Sequence, residues 1–171
     1  MNNSSDEFEQ VSGRPGKKGP SLKARAVALL SRREHSRLEL ARKLAPHADP
    51  EHPDDLQRVL DDLQREGWLS DERFAHSLVQ RRAPRKGAAL VMQELRRHGL
   101  PDEQVAALRD DLQATELQRA RAVWQKKFGR PPADAKDYAR QFRFLASRGF
   151  SSDCLRRILG EQDDTVPGDQ Y

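Results

Sequence analysis

His47 and His52, with Asp49 and Glu51 between them, put two imidazoles and two carboxylates on one short stretch. A divalent cation could use such a donor set. Here, however, the residues sit in "PHADPEHP", whose prolines and missing apolar period read as a polar loop rather than a ligand cage. The five histidines (35, 47, 52, 76 and 98) form no HExxH pair. The single cysteine, Cys154, can build neither a structural zinc site nor an internal disulfide, and it suits a reducing compartment. There is no GxxxxGK[ST] phosphate loop, no GxGxxG following a strand and no GxSxG elbow. The neighbouring acids Asp61-Asp62 and Asp110-Asp111 lie on acidic helical stretches beside arginines, as solvated carboxylates do. Neither an enzyme nor a cofactor is expected.

Cationic side chains remain, and they are not spread evenly. Counting Lys and Arg against Asp and Glu gives +4 over 22–50, −4 over 51–66, +4 over 67–100, −4 over 101–117, +7 over 118–148 and −3 over 149–171. The candidate partner-binding residues on the basic segments are Arg32, Arg33, Arg37, Arg42 and Lys43, then Arg81, Arg82, Arg85, Lys86, Arg96 and Arg97. A third set is Arg121, Lys126, Lys127, Arg130, Lys136, Arg140, Arg143 and Arg148. Lys136, Arg140 and Arg143 follow i, i+4, i+7 spacing opposite Tyr138, Phe142 and Leu145, a stripe read as free of interspersed acid. Such a stripe repels itself unless a polyanion meets it. With net charge +4 and pI near 9.5, weak, non-specific contact with single- or double-stranded DNA is expected.

The elements that carry these cations are helical. From Leu22 the apolar residues keep a 3.6-residue period, and no alternating β-branched run competes with it. Ser36-x-x-Glu39 reads as a capping box, Ser70 as an N-cap, Pro53 and Pro101 as helix starts, and Gly67 and Gly99 as left-handed stops. Nine helices result, in three triplets. "ELRRHGLPDEQVAAL" and "FLASRGFSSDCLRRI" superpose without a gap, matching Leu95 with Leu145 and Gly99 with Gly149, and the tetrapeptide ARAV opens both the first and third triplets. The fold class expected is all-α: three tandem three-helix repeats over 22–67, 68–113 and 114–160, forming an elongated, curved array. Each triplet looks too small to bury its stripe alone, so neighbours are expected to pack end to end.

Only 36% of residues are hydrophobic while 34% are charged, which favours an extended helical body over a compact globule. No apolar run is long enough for a membrane span or a signal peptide, so a cytoplasmic protein is expected, with disordered tails at 1–21 and 161–171. Most aromatics stand at core spacing; Phe144 does not, because Phe142 and Leu145 already occupy the apolar face. No apolar seam is left over, so a monomer is expected.

"GWLSDERFAHSLVQRR" (67–82), "ELRRHGLPDEQV" (94–105) and "FRFLASRGFSSDCLRRIL" (142–159) resemble segments of the RecX family, bacterial regulators of the recombinase RecA. The resemblance spans about residues 22–160. Two departures stand out: Ser70 occupies a position where that family often has Asp or Asn, and Ala45-Pro46 interrupts the glycine-containing junction of the first triplet. The resemblance implies three three-helix repeats without catalytic residues. It also implies a non-enzymatic partner of the RecA filament that mainly inhibits ATP hydrolysis, strand exchange, recombination and SOS activity. The alternative is a direct DNA binder using a helix-turn-helix-like pair, which would hold naked duplex with sequence preference.

Overall fold

A computed structural model describes residues 19–160; the tails expected at 1–21 (up to position 18) and 161–171 lie outside the described residues. Within that span there are ten α-helices and no strand: α1 (Leu22–Leu30), α2 (Arg37–Leu44), α3 (Asp55–Arg65), α4 (Asp71–Arg82), α5 (Ala88–Arg97), α6 (Asp102–Ala107), α7 (Arg109–Ala114), α8 (Glu116–Lys127), α9 (Ala135–Ala146) and α10 (Ser152–Leu159). The tenth arises because the third helix of the second repeat is broken at Leu108. There a tight turn, with Leu108 N donating to Val105 O, separates α6 from α7. The break lets Val105 and Leu112 reach one core.

Local caps follow the sequence closely. The hydroxyls of Ser21, Ser36 and Ser70 each accept from the backbone N–H three residues on, and Gly67, Gly99 and Gly149 adopt left-handed φ of 77–79°. Pro53 differs: α3 begins two residues later, at Asp55. The capping box at Ser36 is half made, because the Glu39 carboxylate is bound by Arg33 instead.

Three separate apolar clusters form, one per repeat. Ala26, Leu40, Leu44, Leu60, Leu63 and Leu69 make the first. Phe74, Leu78, Val91, Leu95 and Val105 lead the second. Ala120, Leu145, Phe150, Cys154 and Leu155 make the third. Each fully buried leucine contributes roughly 1.5–3 kcal/mol, so each triplet closes a small core of its own. Neighbouring repeats still pack end to end, Leu38 on Gly99 and Leu90 on Gly149, beside the hydrogen bonds that join them. The ARAV repetition is also out of register in space. The buried alanines of the opening helices are Ala26, Ala75 and Ala120, whereas Ala122, which the tetrapeptide would align with Ala26, is exposed.

Both junctions use the same two devices. The first residue of α4, Asp71, accepts from Arg37 N at the head of α2 (2.8 Å), and the first residue of α8, Glu116, accepts from Ala88 N at the head of α5 (2.9 Å). The left-handed glycine that ends each second helix packs on the preceding repeat. A Cβ at Gly99 would meet Leu38 at 3.0 Å, and one at Gly149 would meet Leu90 at 2.5 Å. Gly67 has the same backbone but open space around it. Gly67→Ala is accordingly expected to cost about 1–2 kcal/mol, the left-handed penalty alone. Gly149→Ala should cost about 1–3 kcal/mol more because Leu90 must move. Urea unfolding of the two variants measures the difference, and equal losses would contradict the proposed junction.

Candidate functional site

The histidine-acid loop does not assemble the four residues that its sequence offers. Asp49, Glu51 and His52 bring ligand atoms within 4.8 Å of one another, without His47. Asp49 is engaged within the turn, accepting from Glu51 N at 3.2 Å and lying 3.3 Å from His52 Nδ1. Asp61 and Asp62 are engaged too, by Arg37 and Arg65. Cys154 is buried, and burial together with the nearby Glu116 carboxylate pushes its thiol up to about 11, leaving a poor nucleophile at neutral pH.

The nineteen candidate cations divide sharply by whether a carboxylate meets them. In the first repeat Arg33 and Lys43 converge on Glu39, and Arg37 on Asp61. In the second, Arg82 and Lys86 converge on Glu94 at 2.8 and 3.1 Å, and Arg96 on Asp102 at 3.0 Å. Arg32 and Lys43 face one groove with Arg25, while Arg42, Arg81 and Arg97 stand exposed. Of the eight candidates in the third repeat only Arg140 has an ion-pair partner among the described residues, Asp137 at 2.5 Å. The reading of its stripe as free of acid is corrected by that contact. Arg121, Lys126, Lys127, Arg130, Lys136, Arg143 and Arg148 have no carboxylate partner among the described residues.

The structure gathers six of these seven unpaired cations into two clefts. One, about 350 Å³, lies beside the N-terminal half of α9 and is lined by Arg130, Lys136, Arg140 and Arg143, with Asp134 and Asp137. The other, about 510 Å³, lies where the 84–85 loop meets α8 and α9, and brings Arg85 to Lys126, Lys127 and Arg148. Arg121 is exposed on α8 and lines neither. Phe144, expected to have no place on the apolar face, packs against the third core and also lines the second cleft. Arg148 lies 3.7 Å above its ring, and Phe128 meets it edge-on at 5.1 Å. Trp68 is the one exposed large apolar side chain among the described residues, at 46%.

Sequence reasoning missed Asp71 and Glu116 as positioning residues. Acid at the first helical position was legible as a complement to the dipole of its own helix, but its reach to another helix was not. The paired carboxylates are electrostatically distinct. Burial opposes ionisation of Glu39, yet the Arg33 hydrogen bond and the charges of His35, Arg33 and Lys43 hold it below the ordinary carboxylate range. Glu94 is held low in the same way, hydrogen bonds from Lys86 and Arg82 outweighing its burial.

Two family models match the chain: the third three-helix domain of RecX over residues 114–159 and the second over residues 70–108. The regulatory protein RecX of Ralstonia nicotianae is 54% identical over 143 residues, covering 84% of this chain and 89% of that protein. That of Leptothrix cholodnii is 55% identical over 139 residues, covering 81% and 87%. The crystal structure of RecX from Lactobacillus salivarius superposes with a TM-score of 0.68 at 21% identity, over 80% of this chain and 91% of that one.

As pH falls, a carboxylate held low is protonated first in the unfolded chain, so the Glu94 pairs contribute fully at neutral pH and are lost below the ordinary carboxylate range. Glu94→Gln is expected to unfold at lower urea than wild type at about pH 7, with the gap narrowing at about pH 3.5. A gap independent of pH would show that the pairs do not hold Glu94 low.

Proposed function

The chain belongs to the RecX family of regulatory proteins, a non-enzymatic family, and on that premise we propose that it binds the RecA–DNA filament and restrains it. Binding would lower ATP hydrolysis and strand exchange, and with them recombination and SOS activity, in the cytoplasm. The observation that carries this reading is the concentration of unpaired cations on the third repeat, where Arg121, Lys126, Lys127, Arg130, Lys136, Arg143 and Arg148 lack carboxylate partners among the described residues. Cations that pair inside the protein gain little from a partner. Cations left in water gain by releasing a polyanion's counterions.

Each exposed charge contact contributes only about 0.2–1 kcal/mol, so affinity has to come from many contacts made together. Three repeats joined by directional hydrogen bonds suit a repetitive helical partner, since one engaged unit raises the effective concentration of the next. The chain acts as a monomer, and its grip on DNA alone is weak, salt-sensitive and indifferent to sequence. No helix among the described residues is long and apolar enough to cross a membrane.

The purified protein is expected to reduce RecA-dependent ATP hydrolysis on single-stranded DNA and to co-sediment with the filaments; unchanged rates without co-sedimentation would overturn the reading. Lys136→Glu with Arg143→Glu should weaken filament binding at low salt and lower the slope of log affinity on log salt by about 0.7–0.9 per lost phosphate contact. Arg140→Glu should act less than either, because Asp137 already meets Arg140.

A further inference from the structure

The three repeats place a basic residue eleven positions after the start of their first helix: Arg33 after Leu22, Arg82 after Asp71, and Lys127 after Glu116. Facing it, each repeat has the residue just before a fully buried leucine of the second helix: Glu39 before Leu40, Glu94 before Leu95, and Phe144 before Leu145. In the first two repeats these positions form an ion pair, Arg33 with Glu39 and Arg82 with Glu94. In the third the acid is replaced. Lys127 lies 6.0 Å from the Phe144 ring centroid, and no carboxylate among the described residues meets it.

The same place is the cleft of about 510 Å³ between the second and third repeats. Its floor is apolar, built by Pro84, Ala122, Val123 and Phe144, and four cations and no acid surround it. Arg148 is held there by its stacking on Phe144 and by donating to Phe144 O at 3.3 Å. The 84–85 loop is held in turn, because the Arg119 guanidinium donates to Ala83 O at 2.7 Å and also to Lys86 O. The site is thus built before any partner arrives.

We propose that this cleft receives an acidic peptide segment of a protein partner, one apolar side chain resting on the floor and flanking carboxylates taking the place of the missing glutamate. Nucleic acid fits less well. Base stacking needs an open aromatic face, and Arg148 already covers one face of Phe144 while Phe128 packs against the ring at 5.1 Å. The rest of the floor is aliphatic. The inference rests on the filament reading in assigning this cleft to the protein part of that assembly and leaving DNA to the cations elsewhere.

The test uses the full chain and a fluorescein-labelled peptide with one phenylalanine flanked on both sides by glutamates, read by anisotropy. Lys127→Glu and, separately, Phe→Ala in the peptide are each expected to weaken binding about tenfold. Phe144→Glu restores the acid that the other repeats carry, and it should abolish peptide binding. Lys127→Glu keeps the proposal testable if that variant does not fold. Oligo-dT should be weakened no more by Lys127→Glu than by Arg97→Glu, an exposed cation outside the cleft. Three results overturn the proposal: peptide binding unchanged in both protein variants, oligo-dT losing selectively at Lys127, or peptide binding that appears only in a chain ending at Gly160. The last would make residues 161–171 the occupant. Peptide binding is read without RecA, so its failure beside an intact effect on ATP hydrolysis sinks this inference alone. A missing ATPase effect sinks the filament reading.

Discussion

The array depends on a carboxylate that caps a helix to which it does not belong. A helix begins with N–H groups that have no intrahelical partner, and burying them without an acceptor is costly. At the head of α5 the capping position is Gly87, which has no side chain, and a Cβ there would lie 2.0 Å from Gly149 O. Glu116 supplies the missing acceptor from the next repeat, taking Ala88 N on one oxygen and the Ser151 hydroxyl on the other. Asp71 does the same for α2. The second helix of the third repeat, α9, has no following repeat among the described residues. It is closed by its own Asp134, which accepts from Asp137 N, while Asp137 accepts from Ala133 N. One physical need is thus met by Ser36 together with Asp71 in the first unit, by Glu116 alone in the second, and from within in the last.

Directional junctions have a consequence that apolar ones would lack. Apolar contacts are non-directional, and separate cores sharing only such contacts could slide. Hydrogen bonds to helix heads, with Gly87 N donating to Arg148 O at 2.8 Å, instead set the angle between the second and third repeats. The cations on the two sides of that junction, Arg85 on one and Lys126 and Lys127 on the other, therefore stand at a defined separation. The polar network at Glu116 and Arg119 fixes that separation.

The helices and their left-handed stops were legible because both are local: apolar spacing reports which face is buried, and only glycine takes φ near +79° without strain. The ungapped match around Gly99 and Gly149 was also sound, since it marks the glycines that pack on Leu38 and Leu90. ARAV misled because a tetrapeptide match carries no burial information, and Ala120, two residues earlier, is the alanine that packs. The site was less legible than the fold. Composition shows how many cations a segment has, but only tertiary structure shows that Arg37 reaches Asp61 or that Glu94 collects both Arg82 and Lys86.

Repeats make such differences interpretable, because each unit serves as a control for the others. If basic residues at or just past the end of every first helix served stability alone, each would have an acid that neutralises it, as Arg33 has Glu39 and Arg82 has Glu94. Replacing the third acid by Phe144 removes an ion pair while the local fold stays the same, with Leu145 still fully buried beside it. The exchange leaves a cation exposed beside an aromatic ring, an arrangement that serves an intramolecular pair poorly and an external anion well. Segment 118–148, at +7 the most basic of the chain, is therefore basic partly because it lacks the acid that the other two repeats carry at this position. The first two repeats turn part of their charge inward, and the third turns nearly all of its charge outward.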